Sequence, residues 1–249
     1  MVEYTAAHGV ARITLNRPEK RNAITSEMMS ALREALQRAA EDLAVRVLLI
    51  HGAGKDFCAG LDLTEVLQSA EDAPSALASA RRLGHLYMEM RHHPKPIVAA
   101  VQGRALGGGA GIATASDLIV AAESAQFGYP EVKLGFIPAI VTTMLRRAVN
   151  ERQAMELALT GESLSAPRAY DIGLINRVYP DAEFDAGVER YVAALAEKSA
   201  SAMSLSKTLL YQTDGMSFEA SIEAGVQANV RARMTDDFKR GVERFLKKS

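Results

Sequence analysis

The chain has 249 residues, 48% of them hydrophobic, enough for one large domain or for a core domain with a smaller appendage. Its 29 basic residues against 30 acidic ones set up no net field that would favour nucleic acid or an anionic membrane surface as a partner. A single cysteine, Cys58, excludes an intrachain disulfide, the opening Met1-Val2-Glu3-Tyr4 lacks the basic-then-apolar pattern of a secretory signal, and no apolar run approaches the roughly 20 residues that cross a bilayer, so a reducing, cytoplasmic setting is expected.

Val10 to Asn16 alternates, with Ala11, Ile13 and Leu15 on one face and Arg12 and Thr14 on the other, which predicts a half-buried strand. The polar turn Asn16 to Asn22 follows, and then Thr25 or Ser26 can cap a helix whose Met28, Leu32, Leu36, Ala39 and Leu43 form one apolar stripe. Arg46 to His51 reads as a buried strand, leading into Gly52-Ala53-Gly54-Lys55-Asp56-Phe57-Cys58-Ala59-Gly60 and a helical start at Leu61-Asp62-Leu63. The order repeats: Pro96 to Gln102 is another buried strand, Gly103 to Gly111 is glycine-bearing, and a small-residue helix runs through Ala115 before a third strand, Asp117 to Ala122. Near-continuously apolar strands separated by helices indicate parallel pairing under helical cover, an α/β arrangement. Beyond about residue 180 the strand signal ends, and helices are predicted over Phe184 to Lys198, Met203 to Gln212, Phe218 to Met234 and Asp236 to Lys248. This helical tail either packs on a neighbouring subunit or folds back on its own core.

Several chemistries are excluded by spacing. Gly107 and Gly109 place the third glycine of a dinucleotide fingerprint at Ile112, and Gly109-Ala110 stand where a P-loop needs lysine and a hydroxyl residue. Paired cysteines, an H-E-x-x-H zinc motif and a G-x-S-x-G elbow are all missing from the sequence. What remains is a pair of glycine-bearing loops, each leaving a buried strand and opening a helix, which parallel strands bring to the same sheet edge. Free N–H groups at such loops can hold an anion, though on the residues alone close helix–strand packing is the default reading of the triple glycine Gly107-Gly108-Gly109. Glu131, just after Pro130 in Gly128-Tyr129-Pro130-Glu131, sits on a stiff stretch of backbone.

Phe57-Cys58-Ala59-Gly60-Leu61-Asp62-Leu63, Ala105-Leu106-Gly107-Gly108-Gly109 and Tyr129-Pro130-Glu131 through Gly135-Phe136-Ile137-Pro138 closely resemble the enoyl-CoA hydratase/isomerase (crotonase) family. The likeness runs nearly end to end, including Asn16 to Ala23, Leu159-Thr160-Gly161-Glu162 and Ala169 to Val178. It implies a spiral of ββα repeats over residues 1–190 carrying the active site. It also implies a C-terminal helical region, 191–249, that builds a homotrimer or a hexamer of two trimers. By the same resemblance the amides of Ala59 and Gly108 form an oxyanion hole for a thioester carbonyl, and Glu131 is the acid/base. Main chain from Ala59 through Gly60, Leu61 and Asp62 contacts the adenine of CoA, while Arg21, and Lys248 of a neighbouring subunit, approach its phosphates. The substrate is an acyl-CoA, with no metal and no cofactor beyond that CoA, and the acyl chain is bordered by Leu67 to Arg91 and Phe136 to Met144.

One departure stands out: Gly111 occupies the position where two-carboxylate hydratases of the family carry their first glutamate. With Glu131 alone, hydration of an enoyl-CoA is the leading expectation. Δ3,Δ2-isomerisation with Glu131 as sole acid/base is the alternative, and a non-catalytic scaffold is the reading of another class. Asp62 is expected to cap the helix beginning at Leu63. Cys58 is expected to be a buried small residue rather than a nucleophile, and His85, His92 and His93 are expected at the surface. Tyr129 either reaches the substrate or packs over the Gly128 turn.

Overall fold

The computed structural model describes residues 1–247, so Lys248 lies outside the described residues. The first strand, β1 (Val2–Ala7), precedes the predicted one and pairs antiparallel with β2 (Val10–Leu15). His8 and Gly9 join them at φ 51° and 80°, the doubly left-handed geometry of a two-residue hairpin. Thr25 caps α1 (Ser26–Glu41) by accepting from the Met28 amide at 3.1 Å. Its stripe buries Met28, Leu32, Leu36 and Ala39, but the helix ends before Leu43, which is 97% exposed. Next come β3 (Val47–Gly52), the short α2 (Leu63–Ser69) and the long α3 (Ala73–His92).

β4 (Ile97–Val101) and β5 (Arg104–Leu106) lead into α4 (Gly108–Ala115), and β6 (Leu118–Ala122) and β7 (Gln126–Gly128) lead into a 3-10 turn, Pro130–Leu134. After α5 (Ala139–Ala148), α6 (Glu151–Thr160), β8 (Ser163–Ser165), α7 (Ala166–Asp171) and β9 (Arg177–Tyr179), the chain is helical: α8 (Phe184–Ala196), α9 (Ala200–Gln212), α10 (Phe218–Arg233) and α11 (Asp236–Leu246).

A six-stranded sheet has the order β1-β2-β3-β4-β6-β9, parallel except for the opening hairpin, and a three-stranded sheet has the order β5-β7-β8. Two parallel bridges, Ile24 with Leu61 and Cys58 with Ala105, join the loops after β2 and β3 to the loop and strand that follow. Each turn of chain therefore lays one strand in the large sheet, a second short stretch beside its predecessor, and then helix, which is the ββα spiral. The second layer is short because its strands pair over three residues each and its other links are single bridges.

The helical tail divides in two. α8 packs on β2, β3 and β6 and buries Phe184, Val188, Val192 and Ala196, so the expected boundary between residues 190 and 191 passes through the middle of a core helix. α9 is tied in by charge: Lys207 Nζ is buried 2.8 Å from Asp117, 3.0 Å from the Met90 carbonyl and 3.2 Å from that of Lys95. Tyr211 donates to the same Asp117 at 2.7 Å. By contrast α10 buries only Ala228, and α11 buries none of its described residues. His93, expected at the surface, is buried, its ring nitrogens 3.1 Å from the Leu36 carbonyl and 3.0 Å from that of Lys95. His93 ends α3 as its C-cap, and its ring lies between the Leu36 carbonyl of α1 and the Lys95 carbonyl that follows.

Candidate active site

The loop after β3 is held from three sides. Asn22, at φ 56° and wholly buried, donates to the carbonyls of Ala53, Asp56 and Phe57 at 2.9, 2.8 and 3.2 Å, and its side-chain oxygen accepts from the Arg17 amide. Phe57 and Cys58 donate to Gln102 and Arg104, and Leu106 donates back to Cys58 at 3.0 Å, which pins the loop to β5. Sequence reasoning missed Asn22, whose part in joining the two loops depends on their meeting in space.

The expected donor from this loop requires correction. The Ala59 amide already donates to the Arg21 carbonyl at 2.9 Å, so it is not free to bind a ligand oxygen. On the next residues Ile24 donates to Gly60, and Asp62 donates to Ile24, both at 2.8 Å. That ladder leaves the Leu61 amide facing the opposite way, with no acceptor among the described residues. Alternation along an extended segment is the reason, since successive amides point to opposite sides. Leu61, expected to contact CoA, is thus the free donor of this loop.

Gly108 opens α4, where the first amides of a helix have no partner within it. Gly107 turns the chain there at φ 50° and ψ −120°, a conformation suited to glycine, and its amide donates to Gly128 at 2.9 Å. Gly109 is needed for close approach: a Cβ there would lie 2.3 Å from the Cys58 carbonyl oxygen. The two loops converge, because a Cβ on Gly60 would lie 3.7 Å from the Gly108 nitrogen, and one on Gly108 would lie 3.3 Å from Leu61 Cγ. Packing and donor geometry, the two readings of the triple glycine, coexist here.

Glu131 reaches the same place because β7 pairs with β5, which brings the 3-10 turn after β7 over the start of α4. Its carboxylate lies against Gly107, where a Cβ would stand 3.1 Å from Oε1. Oε2 is buried and has no hydrogen-bonding partner among the described residues. Burial pushes this carboxyl above its ordinary value, since desolvation penalises the charged form. An unpaired buried oxygen is costly, and such groups concentrate where chemistry is done.

Leu61, Gly108 and Glu131 border a cavity of about 350 Å³ whose walls come from α2, α3 and the segment Phe136 to Val141, the two stretches expected to flank an acyl chain. Among the described residues no charged side chain other than Glu131 lines it. Tyr87 does, and sequence reasoning missed it: it reads as one more apolar position in the α3 stripe with Leu83, Leu86 and Met90. A hollow of about 470 Å³ behind α4 is rich in charge, but its Arg91 and Arg147 pair with Asp214 and its Asp117 with Tyr211.

Asp62 caps α2, accepting from Thr64 at 3.0 Å, and pairs with Arg17 at 2.7 Å, a hydrogen bond that holds its carboxyl below the usual range. Arg21 is exposed at φ 51°, its carbonyl engaged by Ala59. Cys58 is buried, and desolvation pushes its thiol up to about 12, the opposite of an activated nucleophile. Tyr129 is also buried, its hydroxyl 3.1 Å from Thr114 Oγ1. Among the described residues no cluster of three or more His, Cys, Asp or Glu could hold a metal ion.

Over residues 5–249 the sequence matches the family described as Enoyl-CoA hydratase/isomerase. It is 35% identical over 244 residues to 2,3-dehydroadipyl-CoA hydratase of Escherichia coli, covering 96% of this chain and 92% of that protein. It is 34% identical over 254 residues to 1,2-epoxyphenylacetyl-CoA isomerase of the same organism, covering 100% and 97%. The crystal structure of an enoyl-CoA hydratase from Mycobacterium smegmatis superposes with a TM-score of 0.94 at 30% identity, over 99% of this chain and 96% of that one.

Proposed function

The chain belongs to the enoyl-CoA hydratase/isomerase family, and we propose that within it this enzyme adds water across the C2–C3 double bond of an enoyl-CoA thioester. The observation that carries this reading is Glu131, which lines an apolar cavity beside the start of α4 and whose Oε2 is buried without a partner among the described residues. In the proposed reaction water adds to C3, Glu131 takes its proton, and the electron pair moves through C2 to the thioester oxygen. The amides of Leu61 and Gly108 hold that oxyanion, each donor contributing roughly 3–4 kcal/mol at such a site. Collapse of the enolate then takes the proton from Glu131 at C2. A carboxyl with a raised pKa suits both halves of this shuttle near neutral pH.

CoA is the handle of the substrate, and the proposal includes no other cofactor and no metal. Main chain of Ala59, Gly60 and Asp62 contacts the adenine in this reading, with Arg21 near the phosphates. Assembly into a trimer or hexamer is supported by Phe218, Ile222, Val226 and Val230 on α10 and Met234 at its C-cap, which form a stripe at helical spacing, between 49% and 76% exposed on the single chain. The assembling region then begins after α8. A cytoplasmic setting is supported by the lone buried cysteine. No described helix is long and apolar enough to cross a membrane.

A second reading, Δ3,Δ2-isomerisation, is favoured by one observation: among the described residues Glu131 is the sole carboxylate lining the cavity, and one base suffices to remove a proton from C2 and return it to C4. Crotonyl-CoA and 3-hexenoyl-CoA, followed by the absorbance of the conjugated enoyl thioester, separate the two. Signal lost from the first is hydration, and signal gained from the second is isomerisation. No change with either, and no binding of CoA in calorimetry, would overturn both and leave a scaffold.

A further inference from the structure

Tyr87 is 3% exposed on α3, yet it is one of the residues that line the cavity with Glu131 and Gly108. Its hydroxyl donates to the Gly108 carbonyl at 2.8 Å, so its one proton is committed and its oxygen retains an acceptor site. Burial, with the charge of Glu131 in range, pushes its pKa well above the ordinary value, so the phenol stays neutral and its proton stays in place. The same hydroxyl stands where a side chain on Gly111 would have to be: a Cβ there would lie 2.1 Å from Tyr87 Oη and 2.6 Å from Cζ. Tyr87 and any larger residue at 111 therefore exclude one another, and the polar atom presented at that spot is a phenol oxygen.

A single carboxylate holds a water molecule by one hydrogen, which leaves the water free to swing, and orientation is a large part of the rate of any addition. A second acceptor on the other hydrogen removes that freedom. Resting on the hydration reading above, we propose that Tyr87 is a catalytic residue: its Oη accepts one hydrogen of the attacking water while Glu131 accepts, and then takes, the other. The oxygen bonds to C3, the proton passes to Glu131 and on to C2, and the second hydrogen stays on the new hydroxyl, so atoms and charge balance with no further reactant.

The test is Tyr87→Phe in the full chain, read by two reactions. Hydration of crotonyl-CoA needs the water. Exchange of the C2 proton of butanoyl-CoA for deuterium, followed by mass spectrometry, needs only Glu131 and the oxyanion donors. The expected result is a fall in kcat for hydration of about a hundredfold with KM changed less than about twofold and exchange within about twofold of wild type. Unchanged hydration overturns the proposal. So does a parallel fall in both reactions, which would mean that Tyr87 acts by holding the Gly108 turn. A wild-type chain that exchanges the C2 proton but hydrates nothing overturns the water step and this role with it, leaving proton transfer by Glu131 in place. Failure of both reactions in the wild type overturns the function itself.

Discussion

Gly111→Ala probes the tightest contact at the site. The added methyl would lie 2.1 Å from Tyr87 Oη, 2.6 Å from Cζ and 3.1 Å from Cε2, whereas carbon atoms in comfortable contact sit about 3.5–4.0 Å apart. Backbone movement is opposed on the glycine side, because neighbouring Gly109 already packs on the Cys58 carbonyl. The ring must therefore shift by roughly an ångström or more within a well-packed core, an overpacking cost of about 1–3 kcal/mol. That shift also breaks the bond from Tyr87 to the Gly108 carbonyl and leaves a buried hydroxyl unpaired, which adds about 1–3 kcal/mol. Together these come to about 2–6 kcal/mol, and at about 2–4 °C per kcal/mol for a chain of this size the melting temperature should fall by roughly 4–24 °C. Circular dichroism on heating reads this directly, and hydration of crotonyl-CoA should fall in the same variant. Adding Tyr87→Leu, which ends short of the contact, should restore much of the stability if the two residues are coupled. A Gly111→Ala protein that melts within about 2 °C of wild type would refute the packing reasoning and the placement of Tyr87 with it.

Replacing Glu131 by Gln should lower turnover by at least about a hundredfold, the usual scale for a general acid/base, measured as kcat on crotonyl-CoA. The same variant has a pH signature in stability. Burial raises the folded-state pKa of Glu131, so the protonated form is favoured in the fold, and the stability it contributes is full below the ordinary value of 4.5 and lost as pH rises through the folded pKa. Glu131→Gln should therefore melt like wild type below that range and above it at neutral or alkaline pH; equal melting throughout would count against a desolvated carboxylate. Lys207→Ala leaves Asp117 without its buried cation and should cost about 3–5 kcal/mol, seen as a large drop in melting temperature. Ile222→Glu places charge in the exposed α10 stripe and should convert a trimer into monomers in sedimentation, with the core still folded because α10 packs mainly on α9 and α11 and buries only Ala228.

The elements legible in the sequence were those whose signal is local. α1, β3, β4 and β6 declare themselves by apolar spacing or by unbroken apolar runs, and their ends differ from expectation by a residue or so where caps decide them. The two glycine-bearing loops were legible for a similar reason, since turn residues mark them within a few positions, whereas Glu131 was singled out as an acid/base only by the resemblance of its motif to the family. β5, β7 and β8 were not, because a strand of three residues has too few positions to show a period and exists only through its pairing across turns of the spiral.

Which atoms of the site are available was decided by tertiary structure alone. Ala59 and Leu61 are equivalent in sequence as backbone donors. Only the approach of the 16–24 segment, with Arg21 claiming one amide and Ile24 bonding on either side of the other, makes Leu61 the free one. Likewise nothing near Tyr87 or near Gly111 along the chain foretells that they touch; α3 crossing the start of α4 makes the absent side chain of one the space for the hydroxyl of the other. Local preference sets what a segment can become. Whether a polar group is already satisfied depends on partners that arrive from elsewhere in the chain, and for this protein that is the difference between a glycine-rich turn and a site for chemistry.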